Sequence, residues 1–296
     1  MYAADPPQGE SGGRLPPVYF NHSDIVVDAS AYDAIAQSKF LKEEFSHFTE
    51  STQRRSADQT FTALVIQGRR TYLAIFKTGS QFLPNQLAPE GQVSFNMWVD
   101  DRTKLPLIRD SLTKTTHTEA TLSQITRVFQ SRTITPFDVT APGYPAQAGV
   151  RTRSTVLSLN AEVLPLLYPD VSPSQYGTTR EVDYLISHRY LPGRLMNDVT
   201  RFTIVMSHAE VDRLEEIFEA YGYTLRRDGE KRVVTGPEIE FVLIPAADPG
   251  TQRRMAIEMK LNRAHTGDQD HKFGTGSEIQ LHGDTATWYF PAGWRP

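Results

Sequence analysis

The chain has 296 residues, 39% apolar and 22% charged, with a formal net charge of −4 and no cysteine. Such a chain buries one large core or two moderate ones, and has no basic excess to attract nucleic acid. Disulfides, thiolate metal sites and a thiol nucleophile are excluded, and no apolar run reaches the ~18–20 residues that cross a bilayer.

Met1–Pro17 is rich in Pro, Gly and small polar residues and is expected to be a disordered tail. As written the chain reads as cytoplasmic; the tail also fits the mature start of an exported protein to which Met1 has been added. Gly9-Glu10-Ser11-Gly12-Gly13 matches a nucleophile-elbow pattern by chance, since neither strand nor helix flanks it. Val18–Asp28 has strand composition. Ala29–Phe48 follows as a helix, with Tyr32, Ile35, Phe40, Leu41 and Phe45 near helical spacing and Ser30 or Asp28 as cap. Phe61–Gln67 and Arg69–Lys77 read as a hairpin about Gly68, Gly91–Asp100 as a strand and Leu105–Leu112 as a short helix.

Thr113–Asn197 is the least legible stretch. It contains Pro136, Pro142 and Pro145, then strand patterns at Thr152–Leu159 and Tyr184–Tyr190. Val199–Ser207 resumes as a strand. Ala209–Tyr221 is the clearest helix, with Val211, Leu214, Ile217 and Phe218 in one stripe and Gly222 ending it. Strands follow near Tyr223–Arg227, Ile239–Ile244 and Met255–Leu261. A last hairpin, Ser277–Leu281 with Thr285–Phe290, is expected to turn at Gly283-Asp284.

The strand-to-helix step recurs. Ile25–Ile35 (IVVDASAYDAI) and Ile204–Leu214 (IVMSHAEVDRL) align without a gap, and Asn96–Ile108 is a looser third copy. Asn21–Asp28 (NHSDIVVD) is similar to the opening strand of the glyoxalase, or vicinal-oxygen-chelate, superfamily, with its Asp one residue early. Met255–Asn262 (MAIEMKLN) resembles that superfamily's closing strand. Arg70–Phe76 resembles the first module's closing strand, with Ala74 where a Glu is usual. Val18–Phe290 also resembles an uncharacterised bacterial family of this type, in RRTYLAIF, VDYLISHRYLP, GPEIEFVLIP and KFGTGSEIQLHGDTATWYF.

The resemblance implies an α+β fold of repeated βαβββ modules forming a curved mixed-sheet cup with helices packed outside. The organisation expected is a tail over 1–17, a first module with a second strand–helix unit and an irregular insertion over 18–198, and a last module with a C-terminal hairpin over 199–296. It also implies a divalent metal (Zn, Fe, Mn or Ni), with His22 and Glu258 at two of four ligand positions. The others fall on Ala74 and, through the gapless repeat, on Arg201, so half the set is missing.

Strand alternation places Tyr72, Ala74 and Phe76, and Ser94, Asn96 and Trp98, toward the cup. It turns Glu258 away from the apolar face of its own strand. The expected site therefore joins His22 and Glu258, as metal ligands or acid–base groups, with Tyr72, Phe76, Trp98 and Arg201 as ligand-binding residues around one shared cavity. Each has a plainer role open to it: a strand-edge hydrogen bond for His22, ion pairing for Glu258 and Arg201, core packing for Trp98. Asp268-Gln269-Asp270-His271 lacks the Gly of a calcium loop, His117 and Glu119 lack metalloprotease spacing, and His188 and His208 are rim residues or reserve ligands. No Gly-rich phosphate loop supports a nucleotide cofactor. The reading is of a small-molecule-binding protein with a degenerate metal site and an apolar or aromatic, anionic or neutral ligand, as monomer or homodimer. The alternative is a metal-dependent isomerase, lyase or ring-opening dioxygenase acting on vicinal oxygens.

Overall fold

Three times the chain ends a strand on a short polar side chain and turns into a helix, because that side chain satisfies a helix N–H that has no other partner. Asp28 accepts from Ala31 N at 2.9 Å, Asp101 from Thr103 N at 2.9 Å, and Ser207 forms a capping box with Glu210. The computed structural model describes residues 14–56, 59–83, 86–144, 150–167, 190–250 and 253–296. Most of the expected tail and of the Tyr184–Tyr190 strand, and His188, lie outside these residues. Leu15, within the stretch read as tail, packs against the core.

The first unit is β1 (Tyr19–Val27), α1 (Ala29–Gln37), β2 (His47–Ser56), β3 (Gln59–Gln67) and β4 (Tyr72–Lys77). A small ribbon of β5 (Gln81–Leu83) and β6 (Gln86–Leu87) leads to the second: β7 (Val93–Trp98), α2 (Leu105–Thr116), β8 (Thr121–Phe129), β9 (Arg132–Ala141) and β10 (Thr152–Leu159). The third is β11 (Met196–Ser207), α3 (His208–Ala220), β12 (Thr224–Asp228), β13 (Lys231–Gly236) and β14 (Ile239–Ala246), followed by β15 (Met255–Phe273) and β16 (Ser277–Phe290). All three are βαβββ modules whose first and last strands pair in parallel.

The first two modules join through antiparallel β1 and β7 into one eight-stranded sheet, ordered β2-β3-β4-β1-β7-β10-β9-β8. The third forms a six-stranded sheet, β12-β13-β14-β11-β15-β16, in which β15 lies antiparallel to β11 as β7 does to β1. The α+β class and the curved cup are as expected. The cup is closed by the middle module, however, and not by the last: Thr113–Asn197, the least legible stretch, supplies β8 and β9, which were not expected, beside the expected strand Thr152–Leu159, which is β10.

Three local readings change. The helix expected over Ala29–Phe48 ends at Gln37; Leu41–Phe45 is one wide turn closed by Ser46 N on Leu41 O at 3.3 Å, and β2 takes over. Phe40, Leu41 and Phe45 are buried all the same, which is why they mimicked helical spacing. Pro136 lies inside β9, where the register with β8 slips between Ile125 and Arg127, so its missing N–H falls at a break in the ladder. The last hairpin turns at Gly274–Gly276 and β16 runs unbroken through Gly283. A Cβ on Gly276 would come within 2.4 Å of the Ala31 side chain, so only glycine lets this turn lie on α1.

One face of the eight-stranded sheet is the core face. Ile25, Ile75, Phe95 and Met97 are buried there with the apolar stripes of α1, α2 and α3, and Phe202, Phe241 and Leu243 of the second sheet close the cluster. Phe20 and Phe95 lie edge-on to Phe202 and Phe241, with centroids 4.9–6.1 Å apart. Each such ring contributes roughly 1.5–3 kcal/mol by leaving water. The helices and the second sheet thus pack on the same face of the eight-stranded sheet, which leaves its other face open.

Candidate functional site

That other face is concave. The sheet curls until the backbones of its edge strands β2 and β8 approach within 8 Å, enclosing a cavity of about 580 Å³. Because side chains alternate along a strand, His22 and Asp24 of β1, Tyr72, Ala74 and Phe76 of β4, and Ser94, Asn96 and Trp98 of β7 all line it. β10 adds Arg153 and Thr155; Phe61, Val65, Arg127 and Phe137 form the walls.

A chain of hydrogen bonds crosses the floor. Thr155 Oγ1 donates to Asn96 Oδ1 at 2.9 Å, and Asn96 Nδ2 donates to Asp24 Oδ2 at 2.8 Å. Asp24 Oδ1 stands 3.7 Å from His22 Nε2, and His22 Nδ1 is 2.7 Å from Asn21 Oδ1. The imidazole stacks on the Tyr72 ring at 4.2 Å and 9°. Burial, assisted by the positive charge of Arg127, pushes His22 down to about 3, so the ring is neutral at physiological pH. With Nδ1–H on Asn21, Nε2 presents a lone pair. Two buried donors, Ser94 Oγ and Trp98 Nε1, have no hydrogen-bond partner among the described residues.

Four sequence-predicted residues, His22, Tyr72, Phe76 and Trp98, therefore meet in one cavity. Arg201 and Glu258 do not join them. Met255–Leu261 had been read as a closing strand; it is the start of β15, which takes beside β11 the place that β7 takes beside β1, and β14 is the closing strand. In register, Arg201 pairs with Glu240 and Glu258 as His22 pairs with Tyr72 and Asn96. The same three addresses hold an ion-pair cluster on the second sheet: Arg201 Nε lies 2.7 Å from Glu240 and its Nη1 2.9 Å from Glu258, each side chain more than a quarter exposed. The shared His22–Glu258 cavity is thus corrected to a cavity of the first two modules. Asp24, Thr155 and Arg153 were missed although alternation along β1 and along Thr152–Leu159 pointed to them; no local signal marked Arg127.

The donor set does not fit the implied metal. Ala74 offers no ligand atom, Glu258 belongs to the other sheet, and Asp24 is engaged by Asn96. Among the described residues no three His, Asp or Glu side chains converge. Of the remaining candidates, His117 is the left-handed C-cap of α2, His208 opens α3, and Asp268 pairs with His282 in the open. A smaller seam pocket of about 220 Å³ adjoins the cavity through Asn21 and Trp98. Its Asp198 is consumed in tying the two sheets together, accepting from Arg70 N at 2.6 Å, Thr71 N at 3.0 Å and Thr71 Oγ1 at 3.1 Å.

Residues 20–290 match the model of a family of unknown function (DUF5829). No curated protein matches the chain. The crystal structure of a hypothetical protein from Staphylococcus aureus superposes with a TM-score of 0.50 at 6% identity, over 86% of this chain and 95% of that one, a likeness of fold. A glyoxalase I mutant from Zea mays gives a TM-score of 0.34 at 12% identity, over 78% and 68%. No helix among the described residues is long and apolar enough to cross a membrane.

Proposed function

The chain belongs to DUF5829, and from that premise we propose that it is a small-molecule-binding protein of glyoxalase-like fold whose ligand enters the curled sheet of the first two modules. The observation that carries this reading is the cavity itself: about 580 Å³, walled by Phe61, Phe76 and Phe137, with two buried donors in its lining that have no partner among the described residues. A largely apolar concavity with a few convergent polar groups is the usual form of a small-molecule site. His22 contributes a stacked, neutral ring, Tyr72 and Trp98 contribute flat apolar surface, and Asp24, Asn96 and Thr155 hold the floor rigid. Among the described residues, metal-assisted isomerase, lyase or dioxygenase chemistry lacks a donor set.

The test is uptake of N-phenyl-1-naphthylamine, whose fluorescence rises on leaving water. Wild-type protein should give a saturable, blue-shifted signal, and Ala74→Phe, which places a ring in the cavity, should abolish it with little change in far-UV circular dichroism. Equal signals from the two proteins would refute the reading.

A further inference from the structure

We infer that the cavity is two-sided, with an aromatic half contributed by the first module and an oxyanion-binding half contributed by the second, so that its ligand is an organic acid with a flat apolar body and a carboxylate or sulfonate head. This rests on the cavity reading above and deepens it.

The register of the two modules carries the argument. In the first, His22 and Tyr72 are side-by-side partners on β1 and β4, and their rings stack. The antiparallel pairing of β1 with β7 sets His22 opposite Asn96 and Asp24 opposite Ser94, which brings Ser94 onto the same face of the sheet as His22. The side-by-side partner of Ser94 on β10 is Arg153. Where one module presents stacked rings, the other presents a hydroxyl beside a guanidinium on the same face.

Ser94 is 6% exposed and its Oγ has no hydrogen-bond partner among the described residues. Trp98, four residues on and equally buried, has an indole N–H in the same condition. Buried donors of this kind are stabilised by an acceptor on the ligand. Arg127 and Arg153 both bring guanidinium groups to the cavity lining. Arg127 lies over the Phe137 ring at 5.3 Å, so its charge is held against the wall. A guanidinium next to a hydroxyl recognises a planar or tetrahedral oxyanion through charge-assisted hydrogen bonds.

The matched probes are 1-anilinonaphthalene-8-sulfonate and N-phenyl-1-naphthylamine, which share an aromatic body and differ by the sulfonate. Titrations belong at about 0.15 M salt, where exposed charges are screened. The sulfonate should bind wild-type protein about tenfold more tightly, the difference expected of one charge-assisted contact set. Arg153→Gln should erase that preference while the neutral probe is still taken up saturably, which also shows that the variant is folded. Ser94→Ala, a milder change, should narrow the preference in the same direction. Equal affinities in the wild type, or a preference that survives both substitutions, would overturn the oxyanion half while leaving the cavity reading intact. Failure of both probes on the wild type would sink the cavity reading itself.

Discussion

Glu210 and Arg253 form an ion pair almost sealed from water, with 1% and 2% of their side chains exposed. Glu210 caps α3 of the third module while accepting from Arg151 N and Thr152 Oγ1 of the second, and Arg253 donates to the carbonyls of Gly91 and Val205. Removing one member leaves a buried charge without compensation, so Glu210→Gln should cost about 3–5 kcal/mol in urea denaturation at pH 7. A loss below 1 kcal/mol would show that this junction does not hold the modules together.

The same carboxyl governs acid stability. Burial alone would raise it, but the hydrogen bonds and charge of Arg253, with the amides of Arg151 and Ser207, outweigh burial and hold it at about 2 against an ordinary 4.5. A folded-state value below the unfolded one gives stability that is complete above pH ~4.5 and lost as the pH falls through ~2. The acid limb of the stability profile should be shallower in Glu210→Gln than in wild type; superimposable limbs would refute the assignment.

His22 should stay neutral across the physiological range. Its folded value of about 3 lies below the ordinary 6.5, so the unfolded chain takes up this proton first, and its share of stability is full above pH ~6.5 and declines toward pH 3. In a proton NMR titration the His22 ring signals should hold still between pH 5 and 8. A midpoint near 6.5 would mean that the ring is in contact with bulk water.

Gly68 and Gly79 separate crowding from backbone strain. A Cβ on Gly68 would stand 2.4 Å from Asn197 O and 2.9 Å from Thr71 O, both rigid backbone at the seam between the sheets. Gly68→Ala should cost about 1–3 kcal/mol by overpacking. Gly79 has open space but a φ of +77°, so Gly79→Ala should cost roughly 1–2 kcal/mol from the left-handed backbone alone. Thermal melts of both check this; only Gly68→Ala should also increase amide exchange at Arg69, whose N–H bonds Asn197 O.

Arg201→Ala and Glu258→Ala should each change stability by less than about 1 kcal/mol, as half-exposed ion pairs do. Both should leave N-phenyl-1-naphthylamine uptake untouched. Loss of uptake in either would return these residues to the site.

What could be read from the sequence was whatever depends on neighbours along the chain. The Asp28 cap, the stripe of Val211, Leu214, Ile217 and Phe218, and the facing of Tyr72, Ala74, Phe76, Ser94, Asn96 and Trp98 follow from periods of 3.6 and 2 and held in the fold. β8 left no such mark because its first four residues are exposed on both faces, so no apolar alternation was needed. Nor can local pattern say which module pairs with which: Met255–Leu261 alternates as any strand beside a core does, and only its long-range register with β11 shows that it replaces a β7-like neighbour. The site was therefore half legible: the cup-facing residues of β4 and β7 and His22 of β1 were visible, Asp24, Arg153 and Thr155 were not, and Arg201 and Glu258 were drawn in from the other sheet.

The placement of β15 and β16 also bears on self-association. Pairing with β15 fills the flank of β11 that a fourth module would need, and β2 and β8 turn toward each other, which leaves β12 and β16 as the borders of the large sheets among the described residues. β12 is five residues long and carries Arg226, Arg227 and Asp228 in the open, a charged border that resists an incoming strand. β16 follows a ribbon whose register breaks twice around His265, opposite Gly283, so it offers no long flat template. Strand-to-strand stacking into open-ended polymers is thereby disfavoured, and a second copy of the chain would have to dock through side chains on a face.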